Sequence, residues 1–207
     1  MKLSYAITVC NELEEIQRLL PFLIKNKREV DEIVVFFDTK NGSKSVEDYL
    51  RAQNINTTKF RWMGYHFDGH FANMKNALTE ACLGDYIYQI DADEMVSEYI
   101  MKVLPQILEQ NQVDVIRVPR INTVKGLTQE HIQKWGWIVD NKGRVNWPDL
   151  QWRIYKRIPL IRWKNKVHEV LDGYKTHAVL PLEEEFALYH PKDIKRQEKQ
   201  NAYYNTL

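Results

Sequence analysis

Between residues 3 and 119, short apolar runs alternate with segments of helical periodicity, an order that few folds accept. Leu3 to Cys10 reads as a buried strand, rich in branched and aromatic residues. From Glu12 onward, Leu13, Ile16, Leu19, Leu20, Leu23 and Ile24 recur at helical spacing, and Pro21 is expected to kink or divide that helix. Glu32 to Asp38 is a second strand, ending in the turn-rich Asp38-Thr39-Lys40-Asn41-Gly42-Ser43. A helix over Ser45 to Gln53 and a strand over Lys59 to Met63 follow. Phe71, Met74, Leu78, Ala81 and Cys82 then mark an amphipathic helix stopped by Gly84. Tyr86 to Ile90 is a fourth strand that runs straight into Asp91. A helix over Ser97 to Gln110 and a strand over Asp114 to Pro119 complete the series. The pattern predicts an α/β fold with a mostly parallel central sheet, helices on both faces and right-handed crossovers.

Beyond Gly126 the pattern changes. This part holds Trp135, Trp137, Trp147, Trp152 and Trp163, five of the six tryptophans, among scattered Pro and Gly. Short strands are expected at Leu150 to Lys156 and Leu160 to Trp163, and a surface helix over the polar tail from Asp193 to Asn205, its charges forming a solvated face. No repeat or linker divides the chain, so 1–207 is read as a single domain with a small β/helix portion at its C-terminal end.

A net charge of +1 advertises neither nucleic acid nor membrane as a partner. Cys10 and Cys82 lack the spacing of a zinc site or disulfide framework and read as small reduced residues in apolar surroundings. The N-terminal apolar run is too short and too polar-flanked for a signal peptide, and no stretch approaches a spanning helix. The expectation is a cytoplasmic protein without stable membrane insertion. Asn41-Gly42-Ser43 and Asn56-Thr57-Thr58 fit the glycosylation pattern but carry little weight without a secretory signal.

Ligands of open parallel sheets bind beyond the carboxyl ends of the strands. There the first strand ends in Cys10-Asn11-Glu12, the second in Asp38-Thr39 and the fourth in Asp91-Ala92-Asp93-Glu94. Residues i and i+2 of an extended chain project to one side, so Asp91 and Asp93 are expected to converge. Two ionised acids that close call for a cation, and hard oxygen ligands favour Mg²⁺ or Mn²⁺ with substrate phosphate completing the shell. An acidic turn in water is the plainer alternative. Neither Gly-x-x-x-x-Gly-Lys nor Gly-x-Gly-x-x-Gly occurs at the first strand, which leaves phosphate to metal and side chains.

These residues resemble the family 2 glycosyltransferases of GT-A fold, in particular short bacterial and phage members. Val9-Cys10-Asn11-Glu12 is similar to the family's opening strand end. Asp38 matches its base-contacting acid, and Phe71 to Leu78 its helix with a basic residue, here Lys75 instead of the more usual Arg. Tyr88-Gln89-Ile90-Asp91-Ala92-Asp93-Glu94 is the nearest match. Trp147 to Tyr155 resembles the family's D-x-Q-x-R segment, and Lys166-Val167-His168-Glu169 its Val-His-Glu motif.

The resemblance implies an inverting, Mn²⁺- or Mg²⁺-dependent transfer from a nucleoside-diphosphate sugar, UDP-linked by preference, to an acceptor hydroxyl. Residues 1–125 would form the nucleotide-sugar half, with Val9, Cys10, Asn11, Glu12, Asp38, Lys75, Asp91, Ala92 and Asp93 on the donor. Residues 126–207 would form the acceptor side. The implied metal ligands are Asp91, Asp93 and His168, while His190 is read as structural. A carboxylate base is required at the attacking oxygen, with Asp149 the first choice and Glu169 the second. Trp152 and Trp163 are read as packing residues. Trp135, Trp137 and Trp147 suit an acceptor platform, since flat aromatic faces stack on sugars and bases alike. Lys134, Lys142, Arg144, Arg153 and Lys156, interleaved with them, are compatible with a phosphate-bearing acceptor: a glycan, a lipid-linked sugar or a hydroxylated DNA base. Two competing readings are a sugar-phosphate nucleotidyltransferase, which would want a Gly-rich phosphate loop where this chain has acidic residues, and a non-catalytic carbohydrate- or nucleic-acid-binding module on the same fold.

Overall fold

The computed structural model describes residues 1–57 and 59–204; Thr58 of the second glycosylation pattern and Asn205 of the expected tail helix lie outside them. The strands are β1 (Leu3–Val9), β2 (Glu32–Asp38), β3 (Arg61–Tyr65), β4 (Tyr86–Asp91), β5 (Val115–Lys125), β6 (Val145–Lys156), β7 (Arg162–Lys164), β8 (Val170–Asp172), β9 (His177–Val179) and β10 (Leu188–Asp193). The α-helices are α1 (Leu13–Asn26), α2 (Lys44–Asn56), α3 (Phe71–Ala81), α4 (Glu98–Gln110), α5 (Gln129–Trp135) and α6 (Ile194–Tyr204).

The central sheet runs β10-β5-β6-β4-β1-β2-β3, with β9 beside β5 as well. Strands β1 to β4 are mutually parallel where they pair, and β6 enters antiparallel between β4 and β5. This is the mostly parallel α/β architecture that the alternation implies. Apolar runs such as Ile33 to Phe37 are buried because helices cover both faces. One core packs α1 and α4 against Tyr5, Ile7, Val35, Tyr88 and Ile90; the other packs α3 and β7 against Ala6, Val34, Phe36 and Ile87.

Three local expectations change. Helix α1 continues through Pro21, which sits on the exposed face, so the missing N–H costs no buried hydrogen bond. Strands β5 and β6 are far longer than the runs Asp114 to Pro119 and Leu150 to Lys156, because each stabilises the other as a ladder from Val115↔Tyr155 to Asn122↔Val145. The third is an addition, since helix α5, capped by the Thr128–His131 box and ending in Trp135, is not among the expected elements.

Candidate active site

The carboxyl ends of β1, β2, β4, β5 and β10 share one edge of the sheet, and β6, running the other way, begins there. Asp38 closes β2 with its carboxylate turned back on the following loop. Its Oδ1 accepts the N–H groups of Lys40 (2.8 Å) and Asn41 (3.1 Å), and its Oδ2 accepts Asn41 Nδ2 (2.8 Å). Gly42 is required in that loop, since a Cβ there would lie 2.2 Å from the Asp38 carbonyl oxygen. Cys10 Sγ stands 3.8 Å from Asp38 Oδ2, and burial, with Glu12 and Asp38 adding to it, pushes its thiol up to about 12. Glu12 Oε2 accepts the N–H groups of Cys10 (2.8 Å) and Asn11 (3.0 Å), tying down the end of β1.

Asp91 and Asp93 are near enough that the Asp91 charge works against ionisation of Asp93, yet each is held by its own partners. The chain turns at Ala92, whose N–H donates to Thr8 O (3.2 Å), while Glu94 N–H donates to Asp91 O (2.9 Å). The turn sends the two carboxylates to different partners. Asp91 accepts Thr8 Oγ1 (3.2 Å) and Arg153 Nη2 (2.7 Å). Burial pushes the Asp91 carboxyl up, but Arg153, then Lys75 and Arg120, outweigh it and hold it below the usual range. Asp93 Oδ2 instead lies 3.3 Å from His190 Nε2 and 3.3 Å from Arg196 Nη2. Burial opposes ionisation there as well, yet His190 and Lys192 lower its carboxyl to about 2.

Strand register explains how distant residues reach this edge. A β-bulge lets Ile116 face Ile154 and Arg117 face Trp152, leaving Arg153 as the extra residue. A bulge re-aims a side chain, and Arg153, buried, reaches Asp91 and the fully buried Glu94 (Oε1, 2.6 Å). Arg120 faces Asp149 across β5–β6, giving two bonds to Asp149 Oδ2 (2.9 and 2.7 Å) and one to Glu94 Oε1 (3.1 Å). Asn122 faces His190 across β5–β10. The pair of bonds between Met95 and Tyr189 (2.8 Å each) brings the segment after Asp93 against β10.

Among the described residues, no three His, Cys, Asp or Glu side chains form a group that could hold a metal ion, so Asp91, Asp93 and His168 are not assembled into one. The imidazole beside Asp93 belongs to His190, the residue expected to be structural. His168 is exposed, with φ 54, in the loop between β7 and β8. The donor set at Asp93 still fits a divalent cation. Asn122 Nδ2 donates to Asp149 Oδ2 (2.8 Å), which turns Asn122 Oδ1 toward His190 Nδ1 (2.7 Å). That oxygen only accepts, so Nδ1 carries the proton and Nε2 faces the Asp93 carboxylate. Nε2 needs either its own proton or a cation between the two groups.

Asp149 lies at the edge, and its carboxylate accepts four hydrogen bonds: Arg120 twice and Asn122 on Oδ2, Gln151 on Oδ1 (2.6 Å). Burial raises its carboxyl, and Arg120 with these donors outweighs that and lowers it. Glu169 stands 3.4 Å from Lys75 Nζ, which is buried and lies 4.7 Å over the Trp163 ring. Trp163 packs edge-on against Tyr155, and Trp152 is half-buried in the second core, as expected of packing residues. Trp135 stacks on His131 and lies 4.7 Å from Trp137, forming a half-buried aromatic run; Trp147 is covered by Arg144 at 4.4 Å. The cations interleaved with them are largely neutralised, Lys142 by Glu184, Arg144 by Asp140, Arg153 by Asp91 and Glu94, and Lys156 by Asp114. Nor is the start of α6 a solvated face, since Arg196 joins Glu12 and Glu15 to Asp93.

Residues 4–175 match a family model described as glycosyl transferase family 2. No curated protein matches the sequence. Among solved structures, the fold resembles that of TarS from S. aureus. TarS 1–349 aligns with TM-score 0.64 at 14% identity, over 92% of this chain and 60% of that one. Its complex with UDP-GlcNAc aligns with TM-score 0.64 at 16% identity, over 93% and 59%. A longer TarS structure gives TM-score 0.65 at 16% identity, over 92% and 37%. At such identities the likeness is one of fold, a GT-A architecture, and this chain spans about 60% of the shorter TarS chain.

Proposed function

The chain belongs to glycosyl transferase family 2, and from that premise we propose that it moves a sugar from a nucleoside-diphosphate donor to an acceptor hydroxyl, with inversion and with a divalent cation. The observation that carries this reading is the His190–Asp93 contact, in which an imidazole nitrogen, its ring held in place by Asn122, faces a carboxylate at 3.3 Å. Aspartate oxygen and imidazole nitrogen suit Mn²⁺ or Mg²⁺, with diphosphate oxygens and water filling the remaining positions. A bound cation of this kind supplies charge neutralisation to the departing diphosphate. A UDP-linked donor is favoured, because the TarS structure of similar fold is in complex with UDP-GlcNAc.

The chain's own residues do the rest. Asp38, Cys10 and Glu12, packed at the ends of β1 and β2, line the nucleotide side. Lys75 and Lys192 supply positive charge around Asp91 and Asp93. The acceptor oxygen attacks the anomeric carbon from the face opposite the diphosphate; the bond to the β-phosphate oxygen breaks and the acceptor proton passes to a carboxylate. We assign that base to Glu169, which is paired with Lys75, and give Asp149 the role of fixing Arg120 and Asn122. A carboxylate already accepting four hydrogen bonds has little basicity left. Trp135 and Trp137 offer the acceptor an aromatic face. With most neighbouring cations already paired, a glycan hydroxyl suits that face better than a phosphate-rich acceptor such as DNA. Among the described residues no helix is long and apolar enough to cross a membrane.

Thermal shift across a panel of nucleotide sugars, with Mn²⁺ or with chelator, tests the assignment. Stabilisation by a UDP-sugar with Mn²⁺, lost in Asp93→Asn and His190→Ala, is the expected result. Unchanged Mn²⁺-dependent binding in both variants removes the metal role, and no response to any donor favours a binding module.

A further inference from the structure

The first turn of α6 places one guanidinium against three carboxylates from elsewhere in the chain. Arg196 Nη1 lies 2.5 Å from Glu15 Oε1, and Nη2 lies 3.2 Å from Glu12 Oε1 and 3.3 Å from Asp93 Oδ2. The helix start is fixed from below, since Asp193 Oδ1 accepts the Arg196 N–H (2.9 Å) and Ile194 packs where a Cβ on Gly126 would meet it at 3.2 Å. Further along, Glu198 reaches His131 of α5 (3.6 Å). Helix α6 therefore reaches from the start of α1 to the aromatic run of α5.

Asp93 Oδ2 is also the oxygen that faces His190 Nε2. A guanidinium and a divalent cation cannot both sit against it, because like charges a few ångströms apart repel strongly. Glu12 and Glu15 hold Arg196 at that oxygen, so the protein carries its own counter-ion for Asp93. We propose that Arg196 stands in for the divalent cation at Asp93 in the donor-free enzyme and exchanges Asp93 for the donor's diphosphate when the cation enters, making α6 a latch that links cation entry to donor capture. This rests on Asp93 and His190 being the cation's ligands. The exchange balances in charge: the arriving cation neutralises Asp93, and the displaced guanidinium, whose fork matches paired phosphate oxygens, finds a new anion beside it. Glu12 loses little, because its other oxygen stays on the N–H groups of Cys10 and Asn11.

Calorimetric titration of Mn²⁺ into wild type, Arg196→Gln and Arg196→Lys, without nucleotide and then with saturating UDP, tests the proposal. Arg196→Gln should bind Mn²⁺ alone about tenfold more tightly than wild type, and bind UDP about tenfold more weakly once Mn²⁺ is saturating. Arg196→Lys, which keeps the charge, should stay close to wild type for Mn²⁺ alone. Equal or weaker Mn²⁺ binding by a normally melting Arg196→Gln overturns the latch. Should that variant not fold, Glu15→Gln, which only loosens Arg196, must bind Mn²⁺ alone more tightly, and no change there overturns it equally. Asp93→Asn measured with UDP separates the two ideas: retained Mn²⁺ binding means that the ligand assignment is at fault and removes the latch with it. Lost binding in Asp93→Asn beside an unchanged Arg196→Gln refutes the latch alone.

Discussion

Carboxylates at the sheet edge are held in two ways, divided by the half of the molecule that supplies the partners. At the ends of β1 and β2, Glu12 and Asp38 accept N–H groups from residues one to three positions away. Where β5 and β6 enter, Asp91, Glu94 and Asp149 are held by Arg120 and Arg153, guanidinium groups 26 to 62 residues distant. Asp38 takes its N–H donors from its own turn, and Glu12 adds to its local bonds one long-range partner, Arg196. A cation-held acid depends on register, on a bulge and on a second charge that is itself buried. The turn after β2 is thus locally determined, while the β4–β6 side is one connected network, Asp91–Arg153–Glu94–Arg120–Asp149–Asn122–His190–Asp93, in which a single substitution travels, and Arg196 ties its Asp93 end to Glu12.

The severest test of that division is Arg153→Met, similar in reach and without charge. It leaves Glu94, fully buried, with Arg120 as its remaining cation. Removing one partner of a buried ion pair costs about 3–5 kcal/mol, so urea unfolding should show a large drop in midpoint. A loss below about 1 kcal/mol, the scale of an exposed pair, would mean that the network is not desolvated as its burial indicates. Next comes the pair Glu169→Gln and Asp149→Asn. The first should lower transfer by ~10²–10⁴ with donor binding retained. The second should act mainly through the loosened Arg120 and Asn122, weakening Mn²⁺-dependent UDP binding as well. Transfer that survives in Glu169→Gln and fails in Asp149→Asn with intact donor binding returns the base to Asp149.

The same division separates what the sequence makes readable from what it hides. Strands β1, β2 and β4 announce themselves as apolar runs, and the polar residues that end them, Asn11, Glu12, Asp38, Asp91 and Asp93, follow within three positions. Their shared edge follows from parallel pairing alone. His190 carries no such signal: it lies in a six-residue strand containing Pro191, and its meaning comes from standing opposite Asn122, 68 residues earlier. Arg153 is equally opaque, because the bulge that aims it exists only in the β5–β6 register. Arg196 reads as one more charge on a polar helix until α6 is laid across Glu12 and Glu15. Periodicity reports which face is buried; it does not report which distant residue waits there.

Acid sensitivity offers a smaller effect with a definite sign. Asp93 is lowered from 3.8 to about 2, so it contributes stability that is fully present above its unfolded value and lost as pH falls toward 2. The contribution is on the order of 2 kcal/mol at most. Urea midpoints should therefore decline between about pH 4 and pH 2, and Asp93→Asn should flatten the part of that decline due to this group. A variant as acid-sensitive as wild type would place the decline on Asp91 and Asp149, which are lowered as well.

The mildest effect belongs to the backbone-held side. Asp38→Ala removes three hydrogen bonds within the turn that Asp38 itself begins and a long, weak one from Cys10 Sγ. The freed N–H groups of Lys40 and Asn41 belong to residues exposed at the surface, so water can replace the carboxylate, and the cost should be about 1–2 kcal/mol. Asp38→Asn keeps an acceptor for the same N–H groups and should cost less still, since Asn forms the same kind of turn. Both variants should leave Mn²⁺ binding at Asp93 unchanged, because no link of the ion network passes through Asp38. If Asp38→Ala proves as destabilising as Arg153→Met, or shifts Mn²⁺ affinity, then the turn after β2 is coupled to the network and the two regions respond as one charge system.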